Sequence, residues 1–549
     1  MKTVGVTKHE RSSRPPKFPL AVALTALRAE PVNFRILIAC TIAASATVFE
    51  PAYLSLSTGA VEATLRAQDS PAPMFFAIGF LLLALITLIG GSFADMFGRR
   101  RFLLIGLAGL TLSNVLGLAW LQTPKLFVIA DVLNTVSGVL VLPAAVAIVT
   151  LAYGRALRPF AYAILFTVQG SVMVLGMMLI PWLGRVWDGR ATFIPVLVLC
   201  AFGLVLVLRR VPESLAPHTV RRSTIVVNLL VMAGMFIVVF VVVTGGIRSE
   251  GALLALMATL AVLLATALVR WLARRSRHLR GVEIYGGRDL GLVIFAGVMM
   301  TFAQGAFFFQ ITPYFYSVQQ VGDLEGALRF LPFVVGMIAG GMLIARMAVR
   351  FGARRILAIS FVTSGVALAA LSLLRTDTPF WLMVVPITLI GVAAGLSGPA
   401  RTTMVMSAAP ESLVTGSSSI NTAAGQVGYS LGMIVSSVLV TRYADRVFVD
   451  GLAAAGVPAD TIDKISAALQ SVWGRLIASG YPELPDQVKS LTGVSYAESF
   501  TSGMNAMFLV VAIMMFVSAA VMLIGMRRGL KATMAEAPTG VDADRPADA

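Results

Sequence analysis

Long apolar segments separated by short polar connections dominate the pattern along this chain. Fourteen of them reach about 20 residues, the length at which an α-helix crosses roughly 30 Å of hydrocarbon. They lie near residues 34–58, 73–94, 102–121, 125–153, 159–183, 191–208, 223–245, 251–273, 289–317, 326–349, 354–374, 379–406, 414–441 and 502–526. The pattern predicts an all-α polytopic membrane protein.

The charged residues of the connections predict the orientation of these spans. Connections on the side of the N-terminus are basic, as at 99–101, 274–280 and 350–355, whereas those on the other side are acidic or mixed. Since basic connections stay cytoplasmic, we expect a multi-pass protein of the cell membrane with both termini in the cytoplasm. The net charge of +16 then follows the topology, and no nucleic-acid partner is expected.

Composition narrows the classes of function further. Hydrophobic residues make up 58% of the chain and charged residues 13%, which excludes a soluble domain of this size. Both cysteines, Cys40 and Cys200, lie in apolar runs, and the three histidines lie in basic connections. We therefore predict neither a metal site nor an enzyme's catalytic constellation.

The order of the segments predicts the domain organisation. A cytoplasmic N-terminal segment would occupy residues 1–32, a six-helix bundle 33–210, and a two-helix insertion with basic linkers 211–287. A second six-helix bundle would occupy 288–530 and a disordered cytoplasmic tail 531–549. The polar stretch 443–500 is expected outside the cell, either as a docking surface for a partner or as a packing element.

A glycine- and arginine-rich turn follows the second span, at residues 90–101, Gly-Gly-Ser-Phe-Ala-Asp-Met-Phe-Gly-Arg-Arg-Arg. It resembles the signature of the major facilitator superfamily between its second and third helices. The matching positions are Gly91, Asp95, Gly98, Arg99 and Arg100. The resemblance implies a conformational switch, since the carboxylate can pair with an arginine or cap a neighbouring helix.

A second, weaker copy of this turn occurs at residues 350–355, with Gly352 and Arg354 but no acidic residue. Two copies imply the major facilitator fold with 6+2+6 helices in two pseudo-symmetric bundles, as in the fourteen-helix drug:proton antiporter branch. The stretch 414–432 resembles that branch's thirteenth helix through Gly416, Ser419, Asn421, Gln426, Gly428 and Gly432. In the fourth helix, however, Asp131 stands where that branch usually has arginine.

Two acidic residues fall deep inside spans of the first bundle. At 1.5 Å per residue, Glu50 lies about 21 Å from the cytoplasmic start of its span and Asp131 about 10 Å from the outer start of its own. Such carboxylates are costly in a membrane, so we predict that they converge and bind a proton or a cationic substrate. The alternative is that one of them faces the outer vestibule or pairs with an arginine such as Arg329.

Uncharged polar residues inside the spans are further candidates for binding protons or substrate. They are Asn134, Gln169, Gln304, Gln310, Tyr314, Asn421 and Gln426. Single polar residues in spans also act as links between helices. The aromatic residues around Gln304 and Gln310, at 307–309 and 314–316, form either an adaptable pocket or ordinary packing.

The resemblance implies secondary active export of hydrophobic or cationic small molecules by alternating access. The proton motive force would supply the energy without a cofactor, so the expected partners are small amphiphilic substrates, protons and membrane lipids. One alternative is an exporter or facilitator of lipids with weak proton coupling. Another is a membrane scaffold or sensor that transports nothing.

Overall fold

Helices account for almost all of the chain that the structure describes. The computed structural model describes residues 27–49, 94, 98–120, 124–154, 157–186, 193–213, 288–408, 414–462 and 496–525. Its helices are α1 Pro31–Ser45, α2 Arg99–Trp120, α3 Pro124–Ala152, α4 Arg158–Val186, α5 Ile194–Arg210, α6 Arg288–Pro313, α7 Asp323–Leu328, α8 Leu331–Leu371, α9 Phe380–Ala408, α10 Val414–Ala454 and α11 Tyr496–Gly525. A 3-10 turn, Ala46–Phe49, follows α1, and a π-helical turn, Tyr314–Val318, follows α6.

Helices lie at eleven of the predicted spans, the first of which is described only as far as Phe49. Within the described ranges, eight helical stretches are long and apolar enough to cross a membrane. The other three predicted spans, at 73–94, 223–245 and 251–273, lie outside the described residues apart from Ala94. Helices α1, α5 and α8 each have proline in their first turn, where its missing N–H costs nothing.

Helix α8 contains two predicted spans, 326–349 and 354–374, which meet at Gly352. This glycine has φ 74° and ψ 158°, a conformation that only glycine adopts readily. Gly98 has φ 112° at the start of α2. The two copies of the glycine- and arginine-rich turn therefore share an unusual backbone conformation at matching glycines.

A second correspondence relates the two bundles. Helices α3 and α9 each contain 29 residues, and an internal proline, Pro143 or Pro399, is the twentieth residue of each. Each half of the chain thus contains a helix of equal length with a proline at the same position. Together with the paired turns, it confirms two pseudo-symmetric bundles.

Close packing of helices by glycine is concentrated in the second bundle. A Cβ at Gly336 or Gly391 would overlap a backbone carbonyl of the partner helix, where α8 meets α9. Gly428 and Gly432 do the same where α10 meets α6. Because a membrane offers little hydrophobic driving force between helices, such backbone approach is a main source of association.

Helix α10 extends further than its hydropathy predicts. The predicted span ends at residue 441, but the helix runs to Ala454, so the first part of the polar stretch 443–500 continues it. Charged residues lower the hydropathy without breaking a helix. The helix ends just before Gly456, whose φ of 81° is typical of a helix C-terminus.

Candidate functional site

The side chain of Gln169 links α4 to the end of α1. Its Nε2 donates to the carbonyl of Ala44 at 3.1 Å and approaches Oγ1 of Thr47 at 3.5 Å. Both Gln169 and Ala44 are buried. One predicted site residue is therefore positioned against the turn that leads to Glu50, three residues after Thr47.

One face of helix α3 lies against the 3-10 turn that follows α1. A Cβ at Gly138 would lie 4.0 Å from Cβ of Thr47. Asn134 lies one turn earlier, is 6% exposed, and its Oδ1 has no hydrogen-bond partner among the described residues. Asp131 is seven residues before Gly138 on the same face, but its side chain, like the whole of Glu50, lies outside the described part of the structure.

Two predicted residues of the second bundle form links between helices. Gln310 donates from Nε2 to Oγ of Ser436 at 3.2 Å, which joins α6 to α10. Asn421 donates from Nδ2 to Oγ1 of Thr402 at 3.2 Å, which joins α10 to α9. Gln304 is half-buried and has no hydrogen-bond partner in the described ranges, whereas Gln426 has an interaction partner.

The aromatic residues of α6 pack inside the second bundle. The Phe307 ring lies 6.5 Å from the rings of both Phe333 on α8 and Phe508 on α11. Phe307 and Phe315 are both fully buried. Phe307 and Phe315 therefore form core between helices, whereas Phe308 and Phe309 are half-buried.

Tyr314 and Arg329 stabilise one end of the second bundle. The Tyr314 hydroxyl donates to the carbonyl of Arg375 and accepts from Gln319 at 3.1 Å. Arg329 pairs with Glu325 at 2.8 Å and lies over the rings of Phe315 and Phe380. The carboxylate partner of Arg329 is therefore local, which disfavours its pairing with Glu50 or Asp131.

Arg401, which the sequence analysis did not single out, lies inside the second bundle. It is the only charged residue between positions 380 and 406. The guanidinium occupies the space beside Gly297 of α6, where a Cβ would lie 2.6 Å from Nη1 and 3.0 Å from Cδ. The signal that would have revealed it is the lone arginine in an otherwise apolar span.

The glycine- and arginine-rich turn of the first bundle is held by Glu213, which follows α5. The Arg100 backbone N–H donates to Oε1 of Glu213 at 3.2 Å, and Nε of Arg101 lies 3.6 Å from Oε2. Arg100 also donates from Nη2 to the Leu208 carbonyl at 2.8 Å. Arg99 is only 2% exposed, while Gly91 and Asp95 lie outside the described residues.

In the described part of the chain, no carboxylate holds the second copy of the turn in the way that Glu213 holds the first. Arg354 is half-buried, and its Nε has no hydrogen-bond partner there. The carboxylate that holds the first turn, Glu213, lies outside that turn's own motif, so the difference comes from the surroundings of the two turns. The two turns therefore differ in electrostatics while they share backbone geometry.

A Gly98→Ala substitution tests the turn of the first bundle. A Cβ there would lie 2.7 Å from Oε1 of Glu213, and φ 112° is unfavourable for alanine. We expect a loss of about 1–3 kcal/mol of stability, visible as a lower melting temperature of the purified protein. Gly154→Ala is the control, because nothing lies within 4 Å of that position. Equal melting temperatures for the two variants would contradict this account.

The two halves meet where α4 runs beside α8 and α9. Gly341 of α8 faces Thr167, and its Cβ would lie 3.5 Å from Cβ of Thr167. Gly170 faces Met337, and a Cβ at Gly398 of α9 would lie 4.0 Å from the ring of Phe166. Because glycines on both halves have no side chain at these positions, α4 can pack closely against α8 and α9.

Known proteins resemble this chain over most of its length. A family model described as Major Facilitator Superfamily matches residues 34–321 and 290–454. The tetracenomycin C resistance and export protein of Streptomyces glaucescens is 25% identical over 511 residues, covering 89% of this chain and 90% of that protein. The multidrug efflux pump LfrA of Mycolicibacterium smegmatis is 24% identical, covering 82% of this chain and 87% of the pump.

Solved structures share the same fold at low sequence identity. An auto-inhibited peptide transporter of the POT family has a TM-score of 0.56 at 15% identity, covering 94% of this chain and 99% of that one. The proton:xylose symporter XylE has a TM-score of 0.52 at 15% identity, covering 89% of this chain and 96% of that one.

Proposed function

The chain belongs to the major facilitator superfamily, and we propose from this premise that it exports small hydrophobic or cationic molecules in exchange for protons. One observation carries this proposal. The relatives that align over 82% and 89% of the chain are named as an efflux pump and as a resistance and export protein. The chain is a multi-pass membrane protein, and we place it in the cell membrane with both termini in the cytoplasm.

The proposed proton site lies in the first bundle around Glu50 and Asp131. The hydrogen bond from Gln169 to Ala44 fixes the end of α1 three to six residues before Glu50. Asn134 lies on the same face of α3 as Asp131, and its buried side-chain Oδ1 has no partner among the described residues, as expected where a polar group faces a substrate or water. Two neighbouring carboxylates cannot both ionise at low cost, so one holds a proton until substrate displaces it.

Transport would follow from separation and closure of the two halves. While α4 packs against α8 and α9, the proposed site would be closed to one side of the membrane. Separation of these helices would open the site to that side, and closure of the other end would shut it from the other side. Lipids surround the bundles, and the segment 443–500 offers a place for a partner outside the membrane.

Transport into inverted vesicles tests the proton coupling. With ethidium as probe, we expect uptake that depends on an inward-acid gradient and falls at least tenfold, about 1.4 kcal/mol, when a protonophore collapses it. Glu50→Gln should lose the dependence on the gradient. The control is Glu498→Gln, an exposed carboxylate in the first turn of α11. Uptake that ignores the gradient removes the antiport mechanism, and normal coupling in Glu50→Gln removes that residue's role.

A further inference from the structure

Arg401 is a charged side chain within a membrane span, and it has no partner among the residues that the structure describes. Its guanidinium forms no hydrogen bond or ion pair with any residue in the described part of the chain. The Nε atom is buried without a partner, although the residue as a whole is half-buried. The terminal nitrogens hold the remaining donors of the side chain.

The helices around Arg401 provide room for its planar group and for something beside it. Gly297 of α6 leaves the space that the guanidinium fills, since a Cβ there would lie 3.3 Å from Cζ. Gly425 of α10 lies opposite, with a Cβ position 3.5 Å from Nη2 and 3.8 Å from Nη1. Two helices thus lack side chains where the donors point.

Arg401 also lies close to the contact between the two halves. It follows Gly398 by three residues on α9, so the two share a face of the helix, and Gly398 faces Phe166 of α4. By helix length, Arg401 is about 10 Å from the end of α9. The guanidinium therefore lies well inside the protein and next to the surface that opens when the halves separate.

Further donors follow the same stripe. Gln304 lies seven residues after Gly297 on α6 and is half-buried without a hydrogen-bond partner in the described ranges. Ser418 lies seven residues before Gly425 on α10, and its hydroxyl is buried without a partner. Because α6 and α10 run parallel, with Gly428 against Val298 and Gly432 against Phe302, Gln304 and Ser418 lie about 10 Å from the level of Arg401 in opposite directions. The planar, charged guanidinium is therefore the group at this level that is suited to bind an oxyanion.

We propose that Arg401 binds the acidic group of a transported substrate, so that the protein exports amphiphilic carboxylates or sulfonates as well as neutral and cationic compounds. Arginine stays protonated inside proteins, and an isolated buried charge is costly. A substrate anion that enters between the halves removes this cost, because it pairs with both terminal nitrogens at once. This inference rests on the proposed export function.

Two dyes with the same ring system isolate the effect of the acidic group. They are 8-anilino-1-naphthalenesulfonate and its uncharged parent, N-phenyl-1-naphthylamine, with ethidium as a cation. In proteoliposomes of phosphatidylcholine, we expect Arg401→Gln to lower the transport rate of the sulfonate at least about tenfold and to leave the other two within about twofold. Arg401→Lys should recover part of the sulfonate rate, since lysine keeps the charge without the planar fork.

Two further variants separate a binding role from a structural one. Gly297→Ala should displace the guanidinium without removing its charge, and should lower the sulfonate rate selectively. Arg446→Gln, an exposed arginine of α10, should change none of the three rates.

Each contrary outcome has a distinct meaning. Equal losses for all three dyes in Arg401→Gln would show a structural role and overturn the inference. An Arg401 effect that appears only when phosphatidylglycerol is added would assign the site to a lipid headgroup and would also overturn it. Transport of the parent dye and ethidium without the sulfonate would overturn this inference alone, whereas transport of none of the three would overturn the export function itself.

Discussion

Oxidation of a Thr167→Cys/Gly341→Cys double variant is expected to stop transport, and reduction is expected to restore it. The Cβ position at Gly341 lies 3.5 Å from Cβ of Thr167, within the range that a disulfide requires. The two residues lie on different halves, so the bond would hold α4 against α8. A transporter that works by separating these helices would then lose essentially all activity.

The native cysteines leave this experiment simple to interpret. Cys40 and Cys200 are fully buried and should not form the new bond. Val168→Cys/Gly341→Cys is the matched control, because Val168 is 38% exposed and is turned by about 100° around the helix axis from Thr167, the residue that faces Gly341. Cross-linking is read as resistance of the closed form to an uncharged thiol reagent, and transport is measured on the same sample. A fully cross-linked protein that transports at the normal rate would show that the contact between α4 and α8 stays closed throughout the cycle.

The second large effect is expected from Gly391→Ala, which should prevent normal assembly of the second bundle. Its Cβ would overlap the backbone carbonyl of Phe333, and a backbone atom can move only if α8 and α9 separate. Overpacking of this kind costs about 1–3 kcal/mol and occasionally more. Helix contacts in a membrane depend on such close approach, so little other energy compensates.

A glycine of the same helix provides the comparison for Gly391. Gly398→Ala meets only the Phe166 ring at 4.0 Å and should unfold at the wild-type temperature. Size-exclusion profiles and melting temperatures in detergent would separate the two variants. A monodisperse Gly391→Ala protein with unchanged melting temperature would mean that α8 and α9 pack less tightly than the structure shows.

Much of the fold could be predicted from sequence because hydrophobic length is a strong signal in a membrane. Ten of the predicted spans have helices whose bounds can be compared, and nearly all of these bounds agree to within a few residues; of the first span, 34–58, the structure describes the part up to Phe49. Gly352 lies in the predicted connection between two of the spans. The exception is the end of α10, where Arg442 and Asp445 end the apolar stretch but not the helix. Hydropathy reports the solvent around a residue, whereas the backbone follows local geometry and continues to Gly456.

The candidate site was less accessible to prediction because its contacts join distant parts of the chain. Gln169 was predicted, but its partner, Ala44, lies 125 residues away. Glu213 was missed because its bond to Arg100 spans 113 residues and no local pattern records it. Arg401 was missed because one charge changes the average hydropathy of a 27-residue span very little. The aromatic residues near Gln304 fitted both a pocket and ordinary packing, and the ring contacts place Phe307 in the core.

The extension of α10 has a mechanical consequence. A helix of 41 residues is about 60 Å long, twice the thickness of the hydrocarbon layer. Its C-terminal end, with Arg446 and Asp450, therefore extends beyond the lipid as a rigid helix. This end continues the same helix that lies opposite Arg401 within the membrane. When the second half tilts, the tip sweeps further than any residue within the bilayer. A probe attached there would magnify small rotations into displacements large enough to follow in single molecules.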